Sequence, residues 1–124
     1  MLEYGCHVRD VLLVQRERML LSLVEETPHV VSMYRDVRAY NARYNNESLS
    51  EVAQELVVAA NLAAKLVEVL STDQLGRYCI YSYPEPKRRD LAWVTRHTVH
   101  EVVHHERDVR QVRTRVVDVD EGAR

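Results

Sequence analysis

Four of the six histidines, His97, His100, His104 and His105, fall inside one stretch, residues 89–115, which reads RDLAWVTRHTVHEVVHHERDVRQVRTR. At about 100° per residue in a helix, Trp93, His97, His100 and His104 share a stripe, while His105 swings to the side. His100 and His104 stand one turn apart at i and i+4, so two imidazoles can converge on one metal ion. A third ligand has to come from elsewhere, and His7 is the best candidate, with His97 in reserve one turn earlier on the stripe. The same pair at i and i+4 also describes an ordinary solvated helix face. Val99, Val103 and Val109 lie among these histidines, however, which turns part of the stripe toward a core. Buried imidazoles need partners, and a cation shared with His7 would provide one.

The elements that must position these residues read as helices. From residue 2 to about 26, Val8, Val11, Leu12, Met19, Leu20, Leu23 and Val24 recur at threes and fours with charged residues between them. Gly5 weakens the first turn and Thr27-Pro28 ends the helix. His7 lies in its first turns, with Asp10 three residues on either as a hydrogen-bond partner for the imidazole or as an acidic residue that favours the helix N-terminus. Cys6 is adjacent to His7, but neighbouring helix positions diverge by about 100°, so only one of the two faces a given site. Residues 29–46 are mixed, with a short helix expected near 35–44 and Tyr34, Tyr40 and Tyr44 either lining a pocket or packing with wet hydroxyls. Ser48 with Glu51 spells a capping box and opens the clearest helix, whose apolar face runs from Leu49 and Val52 to Leu66 and Leu70. Residues 77–89 read as a loop with a short extended piece. The expectation is an all-α fold: three long helices and a short one in an antiparallel bundle spanning residues 1–116, with a flexible C-terminal tail at 117–124.

Composition bounds the rest. A chain of 124 residues, 46% hydrophobic and 29% charged, suits one domain with a single core. The formal net charge of -2 gives no electrostatic case for nucleic acid. No window approaches the roughly 18 apolar residues that a membrane span needs, and the start MLEYGCHVRD has neither a basic cluster nor an apolar signal core. Two cysteines, Cys6 and Cys79, make no disulfide framework, so a reduced cytoplasm is the expected compartment.

The order LEYGCHVRDVL, an Ala-rich helix beginning ESLSEVAQEL, then LAWVTRHTVHEVVHHERDV resembles the DinB-like superfamily, in particular an actinobacterial branch with an early H-V-R-D and a late H-x-x-x-H-H segment. The likeness runs from about Leu2 to Val112. It implies a four-helix bundle carrying a divalent metal, zinc or nickel, on His7, His100 and His104. It also implies chemistry related to mycothiol-dependent maleylpyruvate isomerase and bacillithiol transferase proteins, in which the metal activates a low-molecular-weight thiol. Two departures stand out. The sequence begins almost at H-V-R-D, so either the family's preceding helix is absent or the chain starts further upstream; absence of that helix would leave an apolar groove, with a second subunit expected to cover it in a homodimer. The segment Tyr81-Ser82-Tyr83-Pro84-Glu85-Pro86 also differs from the polar, Gly-containing turn of the family.

Three functions follow as expectations. The first is a metal-dependent thiol S-transferase or isomerase whose ligands leave an open coordination position, with Glu101 or His97 handling a proton and no catalytic residue singled out. The second is a non-catalytic dimeric binding module. The third is a zinc hydrolase, because His100-Glu101-Val102-Val103-His104 satisfies H-E-x-x-H. A short domain without a substrate cleft in its pattern argues against the third.

Overall fold

In a computed structural model of the chain, backbone is described for residues 1–122 and side chains for residues 1–111. Of the expected flexible tail, residues 117–124, the backbone of residues 117–122 continues α5, and residues 123–124 lie outside the described residues. Three long helices dominate: α1 (Leu2–Val24), α3 (Leu49–Val69) and α5 (Leu91–Gly122). Shorter pieces join them: β1 (His29–Val30), α2 (Arg35–Asn41), a 3-10 turn at Tyr44–Asn46, α4 (Thr72–Leu75), β2 (Tyr78–Tyr81) and β3 (Lys87–Asp90). Among the described residues no helix is long and apolar enough to cross a membrane.

α1 is the hub, packing along α3 on one side and α5 on the other. Its first turns approach α3 closely at Gly5, where an added Cβ would come within 3.1 Å of Val52 Cγ1. Gly5 thus serves contact as well as weakening the turn. Further along the same seam, small side chains let the helices meet: Leu12 is buried against Ala59 and Ala63. The expected Ser48–Glu51 capping box does not form; Ser48 Oγ instead contacts Ser50 Oγ at 3.1 Å. A capping box closes on the next helix instead, where Ser71 and Gln74 bond reciprocally at the start of α4.

The stretch read as a loop is a hairpin. β2 pairs antiparallel with β3, Tyr78 opposite Asp90 and Tyr81 opposite Lys87, and β1 joins the other edge of β2 in parallel, Val30 opposite Tyr81. The alternation Tyr78, Cys79, Ile80, Tyr81 sends Cys79 and Tyr81 inward. They meet Met19, Val30, Leu91 and Val94 in the largest apolar cluster, with Trp93 and Leu66 on its margin. Arg77 ties the hairpin to the end of α1, its Nε donating to the Ser22 carbonyl at 2.6 Å and its Nη2 to the Glu25 carbonyl at 2.9 Å. A cation on those carbonyls complements the C-terminal end of the helix dipole. β3 runs directly into α5, where the Asp90 carboxylate accepts the Trp93 backbone N–H at 2.7 Å and caps the helix.

Leu91 is fully buried at that junction. Leu91→Ala is expected to lower unfolding free energy by about 2–5 kcal/mol. Equilibrium urea denaturation followed by circular dichroism checks this, and a loss below about 1 kcal/mol would show that the junction does not anchor α5.

Candidate metal centre

The functional side chains come from one stripe on α1 and one on α5, which face each other across a cleft of about 460 Å³. On α1, His7, Val11, Gln15 and Arg18 follow at intervals of four, four and three, a continuous helical stripe. On α5 the inward phase begins with Leu91 and Val94 in the core, continues through buried Thr98, and brings Glu101 and then buried His105 to the same side. The steps from Leu91 to His105 are three, four, three and four, the spacing of a seam between two packed helices. Tyr81 of β2, residues 32–34 between β1 and α2, and Arg35 at the start of α2 stand on the remaining walls.

This phase rearranges the expected ligand set. His105, expected to point aside, is buried and meets His7 edge-on, ring centroids 4.7 Å apart and planes at 84°. His105 Nε2 lies 3.8 Å from Glu101 Oε2, and the other oxygen of Glu101 lies 3.8 Å from His97 Nε2. His104 lines the outer cleft but is exposed, its Nε2 3.5 Å from Asp108. His100 is exposed and absent from the cleft lining, its ring stacked parallel to that of His104 with centroids 6.3 Å apart. The structure therefore does not bring His100 to His7. The physical reason is helix phase: burial of Leu91 and Val94 rotates His100 outward and places Glu101 and His105 where His100 and His104 were expected.

Asp10, expected to steady His7, is engaged elsewhere. It accepts a hydrogen bond from the Tyr44 hydroxyl and pairs with Arg9 at 2.9 Å. Cys6 is buried with Tyr44 and Val52 on another side of α1, and burial raises its thiol pKa. It takes no part in the cleft. Of the three tyrosines considered, Tyr34 lines the cleft, Tyr44 is buried against Asp10, and Tyr40 is exposed.

Burial favours the neutral form of three of these imidazoles, those of His7, His97 and His105. Burial, reinforced by the neighbouring His105 and Arg35, lowers the His7 pKa from 6.5 to about 4. His105 and His97 are lowered as well, by burial first, against the opposing pull of Glu101. His97 is further held by its stack on Trp93, ring centroids 4.6 Å apart. Two buried nitrogens in this group, His7 Nδ1 and His105 Nδ1, have no hydrogen-bond partner. As the side chains stand, no three His, Cys, Asp or Glu groups among the described residues form a cluster that could hold an ion outright. In chemistry they fit one: two neutral imidazoles with orphaned nitrogens beside a carboxylate are a donor set for a divalent cation. The sequence signal that finds them is the seam running from Leu91 and Val94, rather than the histidine spacing.

Comparison with known proteins agrees with the architecture. No curated protein matches the chain. One solved structure, described as YfiT from Bacillus subtilis, "a probable metal-dependent hydrolase with an unusual four-helix bundle topology", superposes with a TM-score of 0.65 at 19% identity. That similarity covers 89% of this chain and 65% of the YfiT chain, so this chain spans less than two thirds of that protein's length. The DinB superfamily profile matches residues 1–109. The chain belongs to the DinB superfamily.

Proposed function

We propose that the protein binds a divalent metal on His7, Glu101 and His105 and uses it to activate a low-molecular-weight thiol for transfer to an electrophile. The observation that carries this reading is the pair of buried, unpartnered imidazole nitrogens on His7 and His105 next to Glu101 in an open cleft. An unpartnered buried polar atom is costly, and a shared cation removes two such costs together. A bound divalent ion would supply the positive charge that stabilises a thiolate near neutral pH. The cleft, at about 460 Å³, is of a size that admits a small cofactor and substrate.

A thiol is favoured over water as the nucleophile because, among the described residues, no carboxylate besides Glu101 lines the cleft to serve as a base. Glu101 is taken up as a ligand, and Asp10 is held by Tyr44 and Arg9. Water, with a free pKa near 15.7, needs more help than a thiol near 8.5. His97, neutral and on the cleft wall, is the group that takes the thiol proton. A hydrolase of the kind described for YfiT is the alternative at the same centre. The buried free thiols of Cys6 and Cys79 suit a reducing cytoplasm. Val57, Val58 and Leu62, exposed on α3, supply an apolar face for a homodimer; light scattering at twice the chain mass checks that assembly.

Zinc or nickel content after dialysis separates the ligand sets. His7→Ala, Glu101→Ala and His105→Ala are each expected to lower metal affinity at least about 100-fold, since a two-ligand site cannot compete with buffer. His100→Ala should leave metal content unchanged. Loss of metal in His100→Ala with retention in His105→Ala would restore the trio His7, His100 and His104. If all metal-loaded forms fail to conjugate a cellular thiol to an electrophile yet hydrolyse a test ester or amide, the alternative replaces the transferase.

Metal-free protein should show the protonation side of the same centre. The folded pKa of His7, about 4, lies below its ordinary 6.5, so the unfolded chain binds the proton more readily. The stability contributed by neutral His7 is complete above pH 6.5 and falls as pH drops from 6.5 toward 4, by up to about 1.4 kcal/mol per pH unit. Urea titrations at pH 7.5, 6 and 5 should show this slope, and His7→Gln should flatten it. An unchanged slope in the variant would mean that His7 is not the buried neutral base.

A further inference from the structure

The other end of the cleft holds a cation without an anion. Arg18 lies eleven residues, about 16 Å of helix rise, beyond His7 on the same stripe of α1. Its residue is 9% exposed. Its guanidinium donates to Gln15 Oε1 at 3.1 Å, to the Tyr81 hydroxyl at 3.0 Å and to the Val31 carbonyl, all neutral acceptors. No carboxylate among the described residues pairs with it, and its Nε makes no hydrogen bond there. Other arginines of α1 behave differently: Arg9 is paired with Asp10, Glu47 and Glu55, and Arg16 with Glu17. A second cation, exposed Arg35, stands on the same cleft wall, also without an ion pair among the described residues.

A buried charge is held at a steep desolvation cost unless something compensates it. Neutral acceptors satisfy three of the five guanidinium protons and leave the charge itself unanswered. From Arg18 the wall leads through Tyr81, whose ring is 5.5 Å from His97, to Glu101, 3.8 Å further on. Both ends therefore open onto one elongated space.

We infer that Arg18, assisted by Arg35, is a docking site for a carboxylate or equivalent oxyanion at one end of the small-molecule ligand, whose reacting end lies at His7, Glu101 and His105. The inference deepens the metal-centre reading and rests on it for the position of the reacting end. It makes the ligand anionic and elongated, since one group must reach Arg18 while another reaches the imidazoles. Orientation follows from the two ends, because a guanidinium accepts only the anionic terminus.

Trp93, the sole tryptophan, stacks on His97 in this wall and reports occupancy by its fluorescence. The test titrates zinc-loaded and metal-free full chain with adipate and with its neutral analogue adipamide. Adipate is expected to bind roughly 10- to 100-fold more tightly than adipamide, the range of a charge-assisted hydrogen-bond pair. Part of that preference should persist in the metal-free chain, and that metal-free part should disappear in Arg18→Gln and weaken in Arg35→Gln, while the variants loaded with zinc keep the zinc content of the parent chain. Equal binding of the two probes, survival of the metal-free preference in Arg18→Gln, or complete loss of the preference on metal removal would each overturn the proposal, the last by placing the carboxylate on the metal. If Arg18→Gln does not fold, Arg18→Lys takes its place: weakened adipate binding with normal zinc supports the site, and unchanged adipate binding overturns it. Failure of the parent chain to bind zinc would sink the metal-centre reading alone, since the metal-free titration still decides the role of Arg18.

Discussion

Helix phase is the constraint on which the rest of this structure depends. α5 enters the bundle from β3 with Asp90 as its cap, and Leu91 and Val94 sink into the cluster formed by Met19, Val30, Cys79 and Tyr81. Two buried points on a rigid helix fix its rotation, and everything downstream inherits that rotation. Three turns later the inward positions are Glu101 and His105, and His100 is turned to solvent. A rotation by one residue would move each donor by about 100° and exchange the set facing His7. The apolar contacts near the hairpin thus select which polar atoms meet at the opposite end of the cleft.

α1 carries the matching peculiarity. A helix at the centre of a small bundle would ordinarily bury leucine and valine, yet this one buries His7, Asp10, Gln15, Arg18 and Ser22 as well. Most of these are answered locally: Asp10 by Tyr44 and Arg9, Gln15 by Tyr81, Ser22 by the Arg18 carbonyl one turn back. What is left over is concentrated. Among the described residues the unpartnered buried nitrogens are those of His7 and His105, together with Arg16 Nε on a side chain otherwise paired to Glu17. Local rules that hold along a chain and fail at one cleft mark the place where the sequence answers to something besides folding.

Much of this was legible beforehand. The three long helices follow from apolar spacing, and Thr27-Pro28 stops α1 close to its observed end at Val24. His7 was identifiable because it is an early histidine on an otherwise apolar-periodic helix. Glu101 and His105, which meet it across the cleft, were not, since a cluster of four histidines offers several stripes and spacing alone does not choose among them. The choice is made by Leu91 and Val94, whose burial depends on a sheet that the sequence hides. Residues 77–90 contain only four paired residues on each strand, with two prolines between them, and such short alternation resembles a loop until β1 supplies a third strand. Arg18 was hidden for a related reason: on α1 it sits among Arg9 and Arg16, and nothing local says that Tyr81 and Val31 close over it.

The protonation state of the cleft ties these parts together. A histidine cluster intended to hold protons would keep its carboxylates close and its imidazoles wet, raising their pKa. Here burial overrides Glu101 at both His97 and His105, and His7 is pressed down to about 4 by burial, His105 and Arg35. Neutral imidazoles at neutral pH present lone pairs without a proton to displace, which is the state a divalent cation requires of its ligands. The same cationic surroundings that discourage protons, Arg35 at the rim and Arg18 at the far end, would also repel a metal were no carboxylate present. Glu101, placed between His97 and His105 with one oxygen toward each, is the compensating charge. Its position on the α5 seam, rather than the number of histidines around it, is what would make a cation tolerable in a cleft that also holds Arg18 and Arg35.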